Sequence, residues 1–319
     1  MHDDPFNRLT RMKLRQLQCL CAVADAGFNI SRAANVLHAT QPAVGKQVRE
    51  LEDELGIDLL LRHGGRVTGL TDAGERTLQW ARRALQCTDN IRALARESGD
   101  QAGGNIAIAT SHAHATYVLL PAVSTFSARL PKVRINVLQG TPDRVAELVR
   151  DGKVALGVTH LPAQLPPEVV AVPFLTSPRI VVTPAGHSLL ALSTLTLEAL
   201  AEYRIIVPHS PRPEGGRILR KFEAAGREPD LAVQALDADV VKTYVEAGIG
   251  VGIIPAFCYR AERDTRLRAK DAGHLFDPAI TVALLRRRSH LPVYIHSFLE
   301  ELSSDLQRGR LELAVMEEG

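Results

Sequence analysis

The stretch SRAANVLHATQPAVGKQVR, residues 31–49, restricts the fold of this chain more than any other. Helical periodicity divides it into two short helices joined by a tight turn. Ala33, Ala34 and Leu37 face a shared core, and Val44 and Val48 answer from the second helix. Thr40 is placed to cap the second helix, and Pro42 sits just inside its start, where a missing N–H costs nothing. The exposed face then carries Gln41, Lys46, Gln47 and Arg49. Amides that bond a base edge twice and cations that neutralise phosphates are what a helix in a major groove requires. An amphipathic hairpin with a solvated basic face has the same pattern, so the following residues decide.

Those residues, RELEDELGIDLLLRHGGRVTGLTDAG, continue the second helix to Gly56. They then give two short strands around His63-Gly64-Gly65, a wing, before Thr71 opens another helix. With Ala33-Ala34, Leu37, Gln41-Pro42-Ala43-Val44, Gln47, Leu51-Glu52, Leu55-Gly56, Leu60, Arg62 and Leu70-Thr71-x-Ala73-Gly74, the chain resembles the winged DNA-binding domain of LysR-type transcriptional regulators. The resemblance implies that Ser31, Thr40, Gln41, Pro42, Ala43, Lys46, Gln47 and Arg49 meet double-stranded promoter DNA, with Arg62 and Arg66 from the wing. Gly45 departs from the serine usual in that family. A glycine inside a helix is about 1 kcal/mol worse than alanine, and here it also removes a hydroxyl that could reach DNA.

At 319 residues with 45% hydrophobic content, the chain is long enough for two or three units with cores of their own. Its net charge of +2 is too small to mark a polyanion-binding protein by itself, so the DNA reading rests on local cations. The longest apolar runs, residues 189–201 and 247–257, are too short or too interrupted to span a membrane, and the N-terminus lacks an apolar leader core; a cytoplasmic protein is expected. Cys19, Cys21, Cys87 and Cys258 lack metal-ligand spacing and read as reduced thiols, the first two pointing to different sides of one helix.

In chain order, Lys13 to Ala26 form a first helix with a stripe of Leu14, Leu17, Leu20, Cys21 and Ala24, so residues 1–70 make the winged helix-turn-helix. Residues 71–98 form a long helix with Leu78, Ala81, Leu85, Thr88, Ile91 and Leu94 or Ala95 recurring at steps near three and four. In LysR-type proteins the equivalent helix pairs with that of a second subunit, which implies a homodimer and, by the same inheritance, a homotetramer; packing on its own domain is the alternative. Residues 99–103 form a hinge within the glycine-rich stretch GDQAGGN.

From residue 104, strands and helices alternate as in a parallel α/β sheet. The resemblance implies a two-lobed, periplasmic-binding-protein-like effector domain over 104–319. Lobe I is 104–165 with 276–319, lobe II is 166–275, and crossovers lie near 161–172 and 267–278. The fold class is thus α/β with an N-terminal winged helix-turn-helix. The charged tail from Gly309 is expected to be disordered.

In open α/β sheets, ligands gather at the C-terminal ends of strands, where helix N-termini meet anions. Four stretches fit: Thr110-Ser111-His112-Ala113-His114, Gly140-Thr141-Pro142, Thr159-His160, and His209-Ser210. Their hydroxyls and imidazoles can donate to a small oxyanion. Within the LysR-type group the chain resembles the CysB-like branch, through LEDELGI, IAIATSH with Tyr117, QGTP, IVVTP with LEALAEY, and DADVVKTYVEAGIGVGIIP. That branch implies a sulfur anion, and its sulfate-binding positions fall on Ser111, Ala113, His114 and Thr159, with the 209–216 loop beside them. Ala113 stands in place of a threonine and His114 in place of a glutamine, which brings a sulfonate, thiosulfate or carboxylate into contention.

Three other readings stand beside this one. His112, His114, His160 and His209 could converge on a transition metal, although no metal site is assigned and no cofactor is expected. An α/β enzyme could use Ser111 or Ser210 as nucleophile, but G-x-S-x-G and Walker A patterns are both absent. The run Gly248 to Gly252 follows a helix rather than a strand, so it reads as a tight turn and not a dinucleotide loop. A ligand-free architectural DNA-binding protein would leave the two lobes unexplained.

Overall fold

Three helices, α1 (Leu14–Asp25), α2 (Ile30–Val36) and α3 (Gln41–Leu55), pack around Leu20, Val23, Ala33, Val44, Val48 and Leu51, all buried. The computed structural model describes residues 12–97, 104–208, 213–235 and 237–316, so the expected hinge at 99–103 lies outside the described residues. The chain divides into two units, Met1–Gly99 and Asp100–Gly319.

In the first unit, β1 (Leu60–His63) and β2 (Arg66–Leu70) pair antiparallel as the expected wing. The turn between them needs Gly64 and Gly65, whose φ values of 54° and 76° are left-handed. Thr71 then starts α4 (Asp72–Glu97): its hydroxyl donates to the Asp58 carbonyl at 2.7 Å and accepts from the Gly74 N–H at 2.9 Å. Gly74 lets the helix lie against the wing, since a Cβ there would stand 2.0 Å from the Leu59 carbonyl oxygen.

Two expected helix stripes in this unit change, while the free thiols of Cys19 and Cys21 stand as read. Cys19 and Cys21 are both buried, because α1 is covered on one side by α2 and α3 and on another by α4, while Leu14 of the expected stripe is exposed. The stripe of α4 divides: Leu78 and Ala81 are buried in the core of their own unit, whereas Ile91 is 65% exposed.

The second unit follows the expected strand and helix alternation. Its elements are β3 (Gly104–Thr110), α5 (His112–His114), a π turn (Ala115–Leu119), α6 (Leu120–Arg129), β4 (Val133–Gln139), α7 (Pro142–Arg150), β5 (Leu156–His160), β6 (Val169–Ser177), β7 (Arg179–Pro184), α8 (Leu197–Ala201), β8 (Ile205–Pro208), α9 (Pro213–Ala224), β9 (Leu231–Ala235), α10 (Ala238–Glu246), β10 (Val251–Pro255), β11 (Leu267–Asp271), β12 (Ala279–Arg286), α11 (Val293–Leu302) and α12 (Arg308–Met316). They form two five-stranded sheets, ordered β4-β3-β5-β12-β6 and β11-β7-β10-β8-β9. Both sheets are mixed rather than parallel, since β12 runs antiparallel to β5 and β6, and β7 antiparallel to β10 and β11. Phe126, Leu156 and Phe298 anchor the first core; Val207, Phe222 and Ile253 anchor the second.

The lobe boundary at residue 166 is corrected. Strand β6 belongs to the first sheet, pairing along its whole length with β12, so the chain crosses at Ser177-Pro178 and not near 161–172. Its edge position tolerates Pro173, whose missing N–H would break a central ladder. The return crossing is also shorter than 267–278, because Leu267–Asp271 is the edge strand β11 of the second sheet. The tail expected to be disordered contains α12, held by buried Leu311 and Val315 at i,i+4 spacing. Gly248 turns α10 into β10 as expected, with φ 74°.

Candidate functional site

On α3, Thr40 acts as the expected cap, accepting from the Ala43 N–H at 3.4 Å, and Pro42 lies in the first turn. Gln41, Pro42, Ala43, Lys46 and Arg49 are exposed, and Gln41 donates to the Ser31 hydroxyl across the hairpin. Gln47 donates to Glu50 at 3.0 Å, and Lys46 lies 3.7 Å from the same carboxylate. Glu50, which the sequence reading passed over, therefore orients two of the side chains expected to face DNA. Arg66 is exposed on the wing.

Arg62 is the exception on this face. Its guanidinium makes a two-point contact with Glu52, at 2.6 and 3.2 Å, and Glu52 also accepts the Leu59 and Leu60 amides at 2.9 and 3.0 Å. Burial pushes the Glu52 carboxyl up, but these bonds overcome that and hold it below the usual range. Arg62 therefore fastens the wing to α3. The missed signal was local: Glu52 stands four residues after Val48 on the buried stripe, and a carboxylate there needs a partner.

In the second unit, the polar side chains expected to form one cluster separate into distinct roles. Thr110 is fully buried and donates to the Val158 carbonyl at 2.7 Å, so it ties β3 to β5 and is not free for a ligand. Thr141 caps α7, accepting from the Arg144 N–H at 3.4 Å. Ser111, at the N-terminus of α5, lies with its Oγ 2.7 Å from His114 Nδ1, and His114 Nε2 is 3.0 Å from the Thr281 hydroxyl. His114 is fully buried, and its ring meets that of His160 edge-on with centroids 4.5 Å apart. Burial first, and the neighbouring His160 second, hold the His114 imidazole well below the ordinary histidine value, so it is neutral. Phe257 packs on the His114 ring at 5.3 Å.

Thr159 is also fully buried, and its hydroxyl has no hydrogen-bond partner among the described residues. Strand alternation turns it to the opposite face from His160, the face shared with its paired residue Val282. A cavity of about 170 Å³ nearby is lined by Leu161, Pro173, Phe276, Ile280 and Val282, with Arg179, Arg217 and Asp277 at its polar margin, and Thr159 does not line it. Ala113 packs against second-lobe residues, and His209 and Ser210 lie outside the described residues.

The Ser111–His114 contact has the distance of a nucleophile and base. However, the other His114 nitrogen meets the Thr281 hydroxyl and no carboxylate, so the third group that orients a catalytic base is not supplied.

The lobes are joined by a polar network that the sequence reading did not identify. Tyr117, from the π turn of the first lobe, donates its hydroxyl to Asp239 on α10 and accepts from Lys242 Nζ at 2.6 Å. Lys242 is 4% exposed and also reaches the Cys258 carbonyl at 2.9 Å and Asp264 at 2.9 and 3.1 Å. Burial works against its charge, but the bonds to Tyr117, Asp239 and Asp264 overcome that and hold its pKa above the ordinary lysine value. His112, half-exposed on α5, points across to Asp239, with Nε2 to Oδ2 3.4 Å.

Comparison with known proteins is consistent across both units. Residues 14–75 match the model for bacterial regulatory helix-turn-helix proteins of the lysR family, and residues 99–307 match the LysR substrate binding domain. The chain is 36% identical over 300 residues to the HTH-type transcriptional regulator SsuR of Burkholderia cenocepacia, covering 94% of this chain and 97% of that protein. It is 36% identical over 304 residues to the regulator CysB of the same organism, covering 95% and 97%. Among solved structures, the cofactor-binding domain of the Cbl transcriptional regulator aligns with a TM-score of 0.64 and 30% identity, over 69% of this chain and 96% of that one.

Proposed function

Because the chain belongs to the LysR family of transcriptional regulators, in its CysB-like branch, we propose that it is a promoter-binding homo-oligomer whose DNA binding is set by a small sulfur-containing anion. One observation carries the anion: the Thr159 hydroxyl is fully buried and unpartnered among the described residues. An unmade hydrogen bond at such a place costs about 1–3 kcal/mol, a cost that a ligand oxygen accepting from that hydroxyl would remove.

The anion sits beyond the C-terminal ends of β3 and β5, where Ser111, His114 and His160 approach from one face of the sheet and Thr159 from the other. His114, with both ring nitrogens engaged by Ser111 and Thr281, holds the Ser111 hydroxyl in place beside the anion. The small Ala113, in place of the branch's threonine, gives room for an organic group, which favours a sulfonate over bare sulfate. Binding shifts lobe closure, and thereby the pairing of subunits on DNA, only as far as the anion's affinity differs between the two arrangements. On the DNA side, α3 enters the major groove with Gln41, Gln47 and Arg49, while Lys46 and Arg66 meet phosphates.

Thermal unfolding with sulfate, thiosulfate, sulfonates and small carboxylates tests the anion, since a native-state ligand raises the melting temperature by mass action. We expect stabilisation by one sulfur anion and its loss in Thr159→Val, which also unfolds about 1 kcal/mol harder without ligand because the unpaired hydroxyl is gone. A Thr159→Val protein that still responds normally would displace the pocket. For DNA, Arg49→Ala should weaken promoter binding and lower the slope of log affinity against log salt by about one; an unchanged slope removes Arg49 from the interface.

A further inference from the structure

Of the four histidines read from the sequence as possible metal ligands, only His112 belongs to a group with metal-ligand spacing among the described residues, and its companions are aspartates. His112 on α5 of the first lobe faces Asp237 and Asp239 at the start of α10 in the second, with one ligand atom from each lying within 4.8 Å of the others. The His112 Nε2 to Asp239 Oδ2 separation of 3.4 Å is close to the edge of a tetrahedron whose metal–ligand bonds are about 2.0–2.1 Å.

The remaining oxygens are already committed in a way that aims the free ones. Asp239 gives its Oδ1 to the Tyr117 hydroxyl and to Lys242 at 2.9 Å, leaving Oδ2 toward the histidine. Asp237 gives its Oδ1 to the Asp239 N–H at 2.8 Å as the cap of α10, leaving Oδ2 without a partner among the described residues. Supporting bonds of this kind fix ligand orientation in metal sites. Lys242 is shared between Asp239 and Asp264 at 2.9 Å, so it does not occupy Asp239 alone, and Arg263 and Arg260 stand beside the cluster without touching Oδ2 of Asp239. His112 is 52% exposed, so an ion can enter from solvent.

We infer that His112, Asp237 and Asp239 form a binding site for a divalent first-row transition cation, with water in the fourth position. One nitrogen and two carboxylate oxygens suit zinc or cobalt better than the all-oxygen shells of calcium and magnesium. Because the imidazole comes from one lobe and both carboxylates from the other, the ion clamps the lobes together. This site shares no residue with the Thr159 pocket, so either reading can fail without the other.

The test is calorimetric titration of the metal-free full-length protein with Zn²⁺, in wild type, His112→Ala and Asp237→Asn, with Mg²⁺ and Ca²⁺ as controls. Asp237→Asn keeps the helix cap and the half-exposed His112 carries no core contact, so unchanged thermal unfolding confirms that both variants fold. One Zn²⁺ per chain is expected, weakened roughly ten-fold or more by each substitution. Co²⁺ should give a tetrahedral visible spectrum without thiolate charge transfer, and Zn²⁺ should slow amide exchange around Tyr117 and α10 in wild type alone. Absence of Zn²⁺ binding, or binding that survives both substitutions, overturns the site; thiolate bands would assign the ion to a cysteine such as exposed Cys87.

Discussion

Helices α3 and α10 are both amphipathic and both carry lysine, yet they treat it in opposite ways. On α3, Lys46 stands in solvent with a side chain 74% exposed and one loose contact to Glu50. On α10, Lys242 is buried and bonded to Tyr117, Cys258, Asp239 and Asp264. A helix that meets a polyanion must keep its donors available, and surface pairs worth about 0–1 kcal/mol are easily exchanged for phosphates. A helix that holds two lobes in register needs donors whose partners are fixed, and leaving one unpaired is costly. The same residue type thus signals recognition when exposed and alignment when buried.

The largest test of that contrast is Lys242→Ala. It leaves Asp264 and Asp239 facing each other without the cation, and breaking a buried pair from one side costs about 3–5 kcal/mol. Scanning calorimetry should show the effector unit melting earlier and the DNA-binding unit unmoved, since each unit has its own core. Lys46→Ala should leave both transitions within about 0.5 kcal/mol. Comparable shifts from the two substitutions would abolish the distinction between the helices.

A smaller effect separates the units by pH. Burial holds His114 neutral, its folded pKa depressed below the ordinary value of about 6.5. Below that pH the unfolded chain takes up a proton that the folded chain refuses, so the effector unit loses stability as pH falls, by at most about 1.4 kcal/mol per pH unit. His114→Gln should flatten that loss between pH 6.5 and 5. Some slope will remain, because burial lowers His187 and His296 in the same direction. An unchanged slope would mean that His114 is not the buried neutral group.

What could be read from the sequence follows from the range of the interactions. The helix-turn-helix, the Thr40 cap and the Gly64-Gly65 wing are set by neighbours a few residues apart, and the sequence shows them directly. The assignment of β6 could not be read in the same way, because its partner β12 lies about a hundred residues later and an apolar run carries no mark of its sheet. The C-terminal helix was legible in the i,i+4 pair Leu311 and Val315 but was obscured by the charges around it. In the site, the positions of Ser111, His114, Thr159 and His160 at strand ends were correct. The faces they occupy could not be read, because these depend on register, and the bond from Thr110 to Val158 is invisible until the strands are paired. Lys242, Asp264 and Tyr117 come from three distant segments, so no local pattern could join them.

The smallest expected effect lies on α3, at the glycine that departs from the family pattern. A Cβ at Gly45 would meet only Arg49 Nη2, at 3.7 Å, an ordinary contact. Gly45→Ala should therefore gain up to about 1 kcal/mol of helix stability and raise the melting temperature of the DNA-binding unit by about 4–8 °C, without moving the effector unit. Packing within the subunit does not require the glycine, so promoter affinity measured on the same variant shows whether DNA does. If stability rises and binding is unchanged, position 45 lies off the groove and α3 reads bases through Gln41, Gln47 and Arg49 alone. If stability rises while binding falls, the missing side chain allows a close approach of the α3 backbone to DNA, and exposure on this helix has a second purpose besides keeping donors free.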